Sequence, residues 1–564
     1  MLCRVGGSPR LPCWSSSSRS GRIETHQHQS RSLQTRPAED AGSRYAPAGL
    51  LDQHEARTCW PSGPRRGRIE TRPPRPPPQQ PRNARSLGFP EQCRRTPAGT
   101  RESMQKRIVL GVFEAGTPHV GGTISWSHPR SRDGDFRDID YWQRMARLLD
   151  DAGFDFLFFA GGSFGYSSRR GELSDVLVEA GMTFALDGAY LIPALAVGTE
   201  RLNFVVTSTT GADHPLHAVR KFSTLDHVTR GRIGWNIVTG ASQNTMAAML
   251  GQSAMVPHDE RYRAAQEYVD VAFSFWEGGN DDDVIVLDHE RNVFADPERI
   301  RPVAYEGEFY RSHGYHTLPP SPQRSPLLFQ AGTSPVGRAF AAKNAECVFV
   351  QGSTYGKVAA DIVDIRRRAA ENGRDPASIK VMVGVTIVVA PTSAEAAQLR
   401  AEFDALQTDE LAAHYYAGNT GVDLLAYDLD RTLAEQLVLD DQAGQMGTSN
   451  IERFLTRPDG TAPTVREILD ELKGKGTRGF AITGDPVEVA DELERMMDET
   501  DLDGIMLEAV FGLASMRDFI ELVQPELRRR GRLDPEPTGA TFRERMLGAG
   551  PHLAPEHHAA GFRP

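Results

Sequence analysis

Four short stretches carry side chains that can do chemistry. In His258-Asp259-Glu260-Arg261-Tyr262 an imidazole and a phenol stand four residues apart, so both leave one face at the start of a helix. A helix cap with a packed tyrosine has the same pattern. In Pro326-Leu327-Leu328-Phe329-Gln330-Ala331-Gly332-Thr333-Ser334-Pro335-Val336-Gly337-Arg338 a short apolar run meets a glycine turn. Ser334 suits the N-cap of the next helix and Pro335 its first position. Free backbone N–H groups and the helix dipole make such a terminus an anion site, which suits a cofactor phosphate; an ordinary strand-to-helix junction reads alike. Thr207-Ser208-Thr209-Thr210-Gly211 ends another apolar run with hydroxyls, fit to bond a polar ring or to cap a turn. Asn236, inside Gly234-Trp235-Asn236-Ile237-Val238-Thr239, costs free energy unless its amide is bonded, so it faces a ligand or a neighbouring carbonyl.

Several chemistries lack their motifs. His258 has no second histidine at ligand spacing and no HExxH exists, so no metal site is expected. One GxSxG pattern, Gly161-Gly162-Ser163-Phe164-Gly165, is present but alone does not make a serine hydrolase, and no GxxxxGK[ST] supports a phosphate-binding loop. Beyond residue 103 the only cysteine is Cys347, which excludes a disulfide framework or a cysteine zinc site and fits a reducing cytoplasm. No run of about twenty apolar residues is present to span a membrane.

The elements that must position these residues alternate. Strands are expected at 107–113, 154–159, 202–207, 232–238, 326–330, 346–350, 379–389 and 503–508. Helices are expected near 139–152, 174–188, 215–228, 259–277, 354–372, 486–498 and 516–529. Eight short strands, most apolar on both faces and interleaved with helices, point to a closed parallel TIM (β/α)8 barrel. A doubly wound sheet would want a GxGxxG after its first strand, and none is there. Two insertions, near 278–325 and 395–477, fall where barrels carry lids or partner surfaces. Residues 479–484 read as an extra strand, followed by a helix capped by Asp485 with Pro486 and Glu488.

Residues 1–103 differ in kind. They hold eighteen arginines, no lysine and eight acidic residues, a net of about +10 in a chain of net charge −11. With fourteen prolines and no apolar periodicity they read as a disordered low-complexity segment. Met104 stands just before the first strand, so the segment also reads as upstream sequence from a misassigned start. Arginine-rich arms otherwise bind nucleic acid or membrane surfaces, or serve as transit peptides. The expected organisation is this segment, a barrel over 104–532, and a C-terminal tail over 533–564.

Taken in order, Val112-Phe113-Glu114-Ala115-Gly116-Thr117-Pro118-His119, Ser208-Thr209-Thr210, Phe222-Ser223-Thr224-Leu225-Asp226-His227, the Asn236 strand, the His258 to Tyr262 helix start, the 330–338 turn and Gly484-Asp485-Pro486-Val487-Glu488-Val489-Ala490 resemble the bacterial-luciferase-like flavin monooxygenases over about residues 105–532. The branch resembled is that of nitrilotriacetate monooxygenase component A and dibenzothiophene-sulfone monooxygenase. The resemblance implies a barrel that uses reduced FMN (FMNH2) and O2 as co-substrate, and oxygenates a small organic substrate, xenobiotics included, through a flavin peroxide. The reduced flavin comes from a separate NAD(P)H-dependent flavin reductase in a two-component system. A homo-oligomer is implied, with neither nucleic acid nor membrane as partner. The FMN contacts it implies are Thr207, Asn236, Thr239, His258, Tyr262 and Ser334, with Ser334 and Tyr262 toward the phosphate and Asn236 and His258 nearer the ring. It assigns no catalytic acid or base. Where the family carries an acid after the second strand, this chain has Phe159-Ala160-Gly161-Gly162-Ser163. The loop Thr123-Ile124-Ser125-Trp126-Ser127-His128 and the insertions are expected to shape the substrate pocket. Alternatives within reach are a deazaflavin-dependent oxidoreductase of the same fold and a non-catalytic flavin-binding protein.

Overall fold

Strands that are apolar on both faces need cover on both faces, and a closed barrel wrapped in helices supplies it. The computed structural model describes residues 106–564 apart from 118, 133, 162–167, 170, 241–242, 333, 351, 353, 438–447, 458–459 and 477–478. The arginine-rich segment lies outside the described residues.

Eight strands close the barrel: β1 (Val109–Glu114), β2 (Phe156–Phe159), β3 (Asn203–Thr209), β4 (Ile233–Val238), β5 (Leu327–Gln330), β6 (Cys347–Val350), β7 (Lys380–Val389) and β8 (Gly504–Ala509). Each pairs in parallel with the next, and β8 returns to β1 with Val109 opposite Gly504. Phe480–Gly484 adds a ninth strand, parallel to β7 and outside the closed ring.

Alternation along each strand sorts the core into two layers. Val109, Phe113, Phe156, Phe158, Val205, Leu327, Phe329, Cys347, Met382 and Met506 fill the barrel interior. Leu110, Val112, Leu157, Phe204, Trp235, Val348 and Leu507 point outward and pack beneath the helices. The interior is crowded. A Cβ on Gly111 would collide with the ring of Phe156, so glycine there makes room for the aromatic side chain opposite.

The helices that matter for the site are α1 (Ile139–Asp151), α2 (Gly188–Val197), α3 (Pro215–Thr229), α4 (His258–Gly278), α5 (Pro335–Asn344), α6 (Tyr355–Glu371) and α7 (Pro486–Thr500). One expected helix, near 174–188, is instead a short turn of helix at Asp175–Glu179 and the separate α2. Gly181 at φ +76° ends the first, and Asp187 caps the second by accepting from Ala189 N–H at 2.9 Å.

The first insertion forms two antiparallel hairpins, Ile285–Asp288 with Val293–Ala295 and Pro302–Glu306 with Arg311–Tyr315. The Glu267 carboxylate of α4 anchors the second by accepting three backbone N–H bonds at 2.8–3.1 Å from Glu308, Phe309 and Tyr310. The second insertion contributes helices Ser393–Asp404, Asp409–Thr420 and Val465–Lys475 with an apolar core of its own around Tyr416, Phe454 and Leu469. It is fastened to the chain after β2 by Ser174 Oγ against His414 Nδ1 (2.8 Å) and by the Arg169–Asp423 ion pair (3.0 Å).

Past residue 532 the chain returns to the barrel. Helix Phe542–Leu547 puts Phe542 on the interior core, its ring 5.8 Å from Phe329 and 5.9 Å from Phe156. Arg543, 1 % exposed, pairs with Glu346 through Nε to Oε1 at 2.7 Å and Nη2 to Oε2 at 2.9 Å. Its remaining N–H groups donate to the carbonyls of Gln323, Ser325, Pro326 and Pro551. No described helix is long and apolar enough to cross a membrane.

Candidate functional site

Parallel strands deliver their last residues to one rim, where loops diverge and backbone groups stay unpaired. At that rim β3, β4 and β5 bring together the side chains singled out above. Three of the four hydroxyls at the end of β3 are committed elsewhere. Ser208 Oγ accepts from Lys221 Nζ at 2.7 Å, Thr209 Oγ1 from Gly211 N–H at 3.2 Å, and Thr210 Oγ1 donates to the Val238 carbonyl at 3.4 Å. Thr207, half-buried, accepts from Asn236 Nδ2 at 3.0 Å and keeps its own proton to donate. Asn236 is buried, and its Oδ1 has no hydrogen-bond partner. An orphaned buried carbonyl costs about 1–3 kcal/mol, so an acceptor there wants a donor from outside the chain.

A second group forms around the N-terminus of α5. Ser334 caps it, Oγ accepting from Gly337 N–H at 3.0 Å, with Pro335 at the first position as the local sequence dictates. His258 and Tyr262 both leave the first turn of α4 toward it, their rings 5.1 Å apart. His258 Nε2 lies 3.4 Å from Ser334 Oγ, while its Nδ1 is 2.8 Å from Asp259 Oδ1. Gln330 Nε2 donates weakly to the Tyr262 hydroxyl at 3.4 Å and Gln330 Oε1 accepts from Gly332 N–H at 2.8 Å. Burial raises the Tyr262 phenol above its ordinary pKa against the opposing pull of Arg261 and of Gln330, Ser334 and Thr239, so it is a neutral donor at physiological pH. The turn is held close by glycine. A Cβ on Gly332 would lie 2.6 Å from Tyr262 Oη, and one on Gly337 2.9 Å from the same atom.

Two groups escaped the sequence reading. Arg261 is buried in the same turn of α4, donates to the Val256 carbonyl at 3.2 Å, and leaves Nε and Nη2 without partners. Across the mouth, β1 and β8 end in two buried acids, Glu114 and Glu508. Burial, and then the charge of Glu508, lifts the Glu114 carboxyl to about 8. A charged residue closing a five-residue apolar run was the signal for Glu114; nothing local marks the burial of Arg261. At Gly161 the backbone leaves little room for a side chain, since a Cβ there would stand 2.8 Å from the Ala115 carbonyl oxygen.

The luciferase-like monooxygenase family model matches residues 119–501. The chain belongs to this family. It is 34% identical over 463 residues to the long-chain alkane monooxygenase of Geobacillus thermodenitrificans, covering 81% of this chain and 98% of that one. It is 31% identical over 447 residues to nitrilotriacetate monooxygenase component A of Aminobacter aminovorans, covering 78% and 96%. The structure superposes with a TM-score of 0.75 on a riboflavin lyase solved with modified FMN and its substrate riboflavin, at 35% identity over 81% of this chain and all of that one. As a luciferase-like monooxygenase the protein is a flavin-dependent oxidoreductase. The rim suits a flavin mononucleotide on its own evidence: an orphaned amide oxygen on Asn236 for a ring N–H, and neutral hydroxyls with a helix N-terminus for an anion.

Proposed function

We propose that this luciferase-like monooxygenase is the oxygenating component of a two-component system, taking reduced FMN from a separate NAD(P)H-dependent flavin reductase and using O2 to oxygenate a small organic molecule. The observation that carries the reading is the convergence of Tyr262 and Ser334 on the N-terminus of α5, over a turn that Gly332 and Gly337 keep free of side chains.

When bound, reduced FMN supplies the electrons that activate O2. The protein's part is positional. In this reading Ser334, Tyr262 and Thr239 hold the phosphate, with Arg261 behind Tyr262 offsetting its charge. His258, expected nearer the ring, stands at the phosphate end beside Ser334, its Nδ1 against Asp259. Asn236 Oδ1 accepts from the ring edge, and Thr207 fixes the amide that presents it. The bare Gly161 backbone leaves that side of the ring without a carboxylate, so ring recognition falls to Asn236 and Thr207. The second insertion, fastened to the loop after β2, is the segment placed to shield the mouth from water.

The test is anaerobic titration of FMNH2 into the wild type, Ser334→Ala and Tyr262→Phe. A hydrogen bond to a charged group contributes about 1.5–3 kcal/mol, so each variant should weaken binding by roughly tenfold or more. Unchanged affinity in both, with folding intact, sinks the phosphate assignment. A coupled assay with a flavin reductase, NADH and O2 should consume oxygen in step with an added substrate, and a deazaflavin should not replace FMNH2.

A further inference from the structure

A cavity of about 360 Å³ lies where β1 and β8 end, under the chain that leads into α1. Glu114, Ser125, Trp126, Arg132, Phe136 and Tyr141 are among the residues lining it. Strand alternation turns Glu114 out of the barrel, to the side on which Val112, Ala509 and Tyr141 pack. There its side chain faces the cavity. It is 4 % exposed, and its carboxyl makes no hydrogen bond to any described residue, while its backbone carbonyl accepts from Ala160 N–H at 2.7 Å.

The rest of the wall is already satisfied. Ser125 donates its hydroxyl to the Val510 carbonyl. Arg132 stands exposed at the rim and donates to the Ser127 carbonyl at 3.2 Å, and Asp135 is held by Arg137. Trp126 directs its indole N–H to the Ala180 carbonyl at 3.2 Å, which leaves ring surface for a ligand. The cavity therefore combines three aromatic side chains with one uncommitted carboxyl. Aromatic faces attract cations, and a buried carboxylate requires one.

We propose that this cavity binds small organic ammonium cations, with Glu114 as the counter-charge and Trp126, Phe136 and Tyr141 as the surrounding aromatic surface. The site goes beyond the flavin reading and stands without it. Its volume is at the small end of the roughly 300–1,000 Å³ usual for ligand pockets, so the ligand is a compact monoamine. Without ligand the Glu114 carboxyl keeps its proton at neutral pH, because burial and Glu508 disfavour the charge. An entering R–NH3+ replaces that proton: the carboxyl O–H bond breaks, the carboxylate pairs with the ammonium, and one H+ leaves to solvent. The groups that bear on this exchange are Glu508 of β8, Tyr141 of α1, and Arg132 and Asp135 at the rim.

Isothermal titration of the full chain at pH 7, in two buffers of different ionisation enthalpy, tests it with benzylammonium, benzyl alcohol and benzoate as probes. Benzylammonium should bind about tenfold or more tighter than the alcohol, the scale of one cation–π contact plus one charge-assisted bond, with benzoate weakest. It should release close to one proton per ligand. Glu114→Gln should abolish both the preference and the proton release while leaving the melting temperature near that of the wild type. Trp126→Leu, at an exposed position, should weaken benzylammonium several-fold with proton release retained. Equal binding of amine and alcohol, tighter binding of benzoate, no binding of the amine at millimolar concentration, or unaltered amine binding in Glu114→Gln would overturn the proposal.

Discussion

Replacing Arg543 by methionine should destabilise the protein by about 3–4 kcal/mol at pH 7, and the loss should shrink as the pH falls. Arg543 and Glu346 are both almost wholly buried and joined by two hydrogen bonds of 2.7 and 2.9 Å. Burial alone would raise the Glu346 carboxyl, but the Arg543 guanidinium holds it below its ordinary value. Removing one partner of such a pair typically costs about 3–5 kcal/mol, because the other charge stays behind. Glu346 has one escape, which is to take up a proton. From an ordinary pKa near 4.3 that costs about 1.36 kcal/mol per pH unit, or roughly 3.7 kcal/mol at pH 7 and 1.6 at pH 5.5. The protonation of Glu346 in the variant sets the sign. The wild type, with its depressed Glu346 pKa, keeps its own contribution throughout pH 5.5–7, whereas in the variant a buried carboxyl that must stay protonated has a raised pKa and costs the fold less as the pH falls toward the unfolded value. Urea denaturation followed by tryptophan fluorescence at pH 7 and pH 5.5 reads both numbers, and Glu346→Gln on the variant background should recover much of the loss at pH 7. A deficit under about 1 kcal/mol, or one that does not change with pH, would refute the account of a buried charge left alone.

Gly111→Ala drives a methyl group into the Phe156 ring and should cost about 1–3 kcal/mol by overpacking, with Phe156→Leu relieving part of it in the double variant; additive losses would contradict the clash. His557 accepts at Nδ1 from Ala559 N–H (3.1 Å), and its Nε2 lies 2.9 Å from the Asn344 carbonyl, a pairing only the neutral ring makes; burial lowers its pKa to about 4. Between the unfolded value near 6.5 and 4 the unfolded chain binds a proton that the fold refuses, so stability should fall with pH across that window, by on the order of 3 kcal/mol from this residue. His557→Gln should flatten the stability–pH slope there, and an unchanged slope would remove His557 as the cause.

The barrel was legible because each of its strands is a short run buried on both faces, and a parallel closed sheet is the economical way to bury eight of them. The observed strand ends fall within two residues of those expected. The 174–188 segment was not legible as two pieces, since its break depends on Gly181 adopting a left-handed conformation and on Asp187 finding Ala189 N–H to cap. Nor does the stretch after residue 532 announce itself. Arg543 stands in a proline- and glycine-rich environment, and its burial is decided by Glu346, 197 positions earlier. Long-range ion pairs of this kind leave no local periodicity to read.

The candidate site was legible residue by residue and not as a constellation. Each of Asn236, His258, Tyr262 and Ser334 carried a local reason to be noticed, together with a bland reading equally consistent with it. What decides between the two is proximity: Ser334 and His258 lie 76 residues apart in sequence and 3.4 Å apart in space. The structure also adds an asymmetry to the mouth. Its β3–β5 side presents hydroxyls, amides, a helix N-terminus and the incompletely paired Arg261, whereas its β8–β1 side presents the buried acids Glu114 and Glu508. A phosphate is favoured on the first side and repelled by the second. A cation has the reverse preference, and at Glu114 it meets a buried carboxyl that lines a cavity and has no partner among the described residues. The charge distribution thus favours an anionic cofactor on the first side and leaves the opposite wall to ligands of the opposite sign.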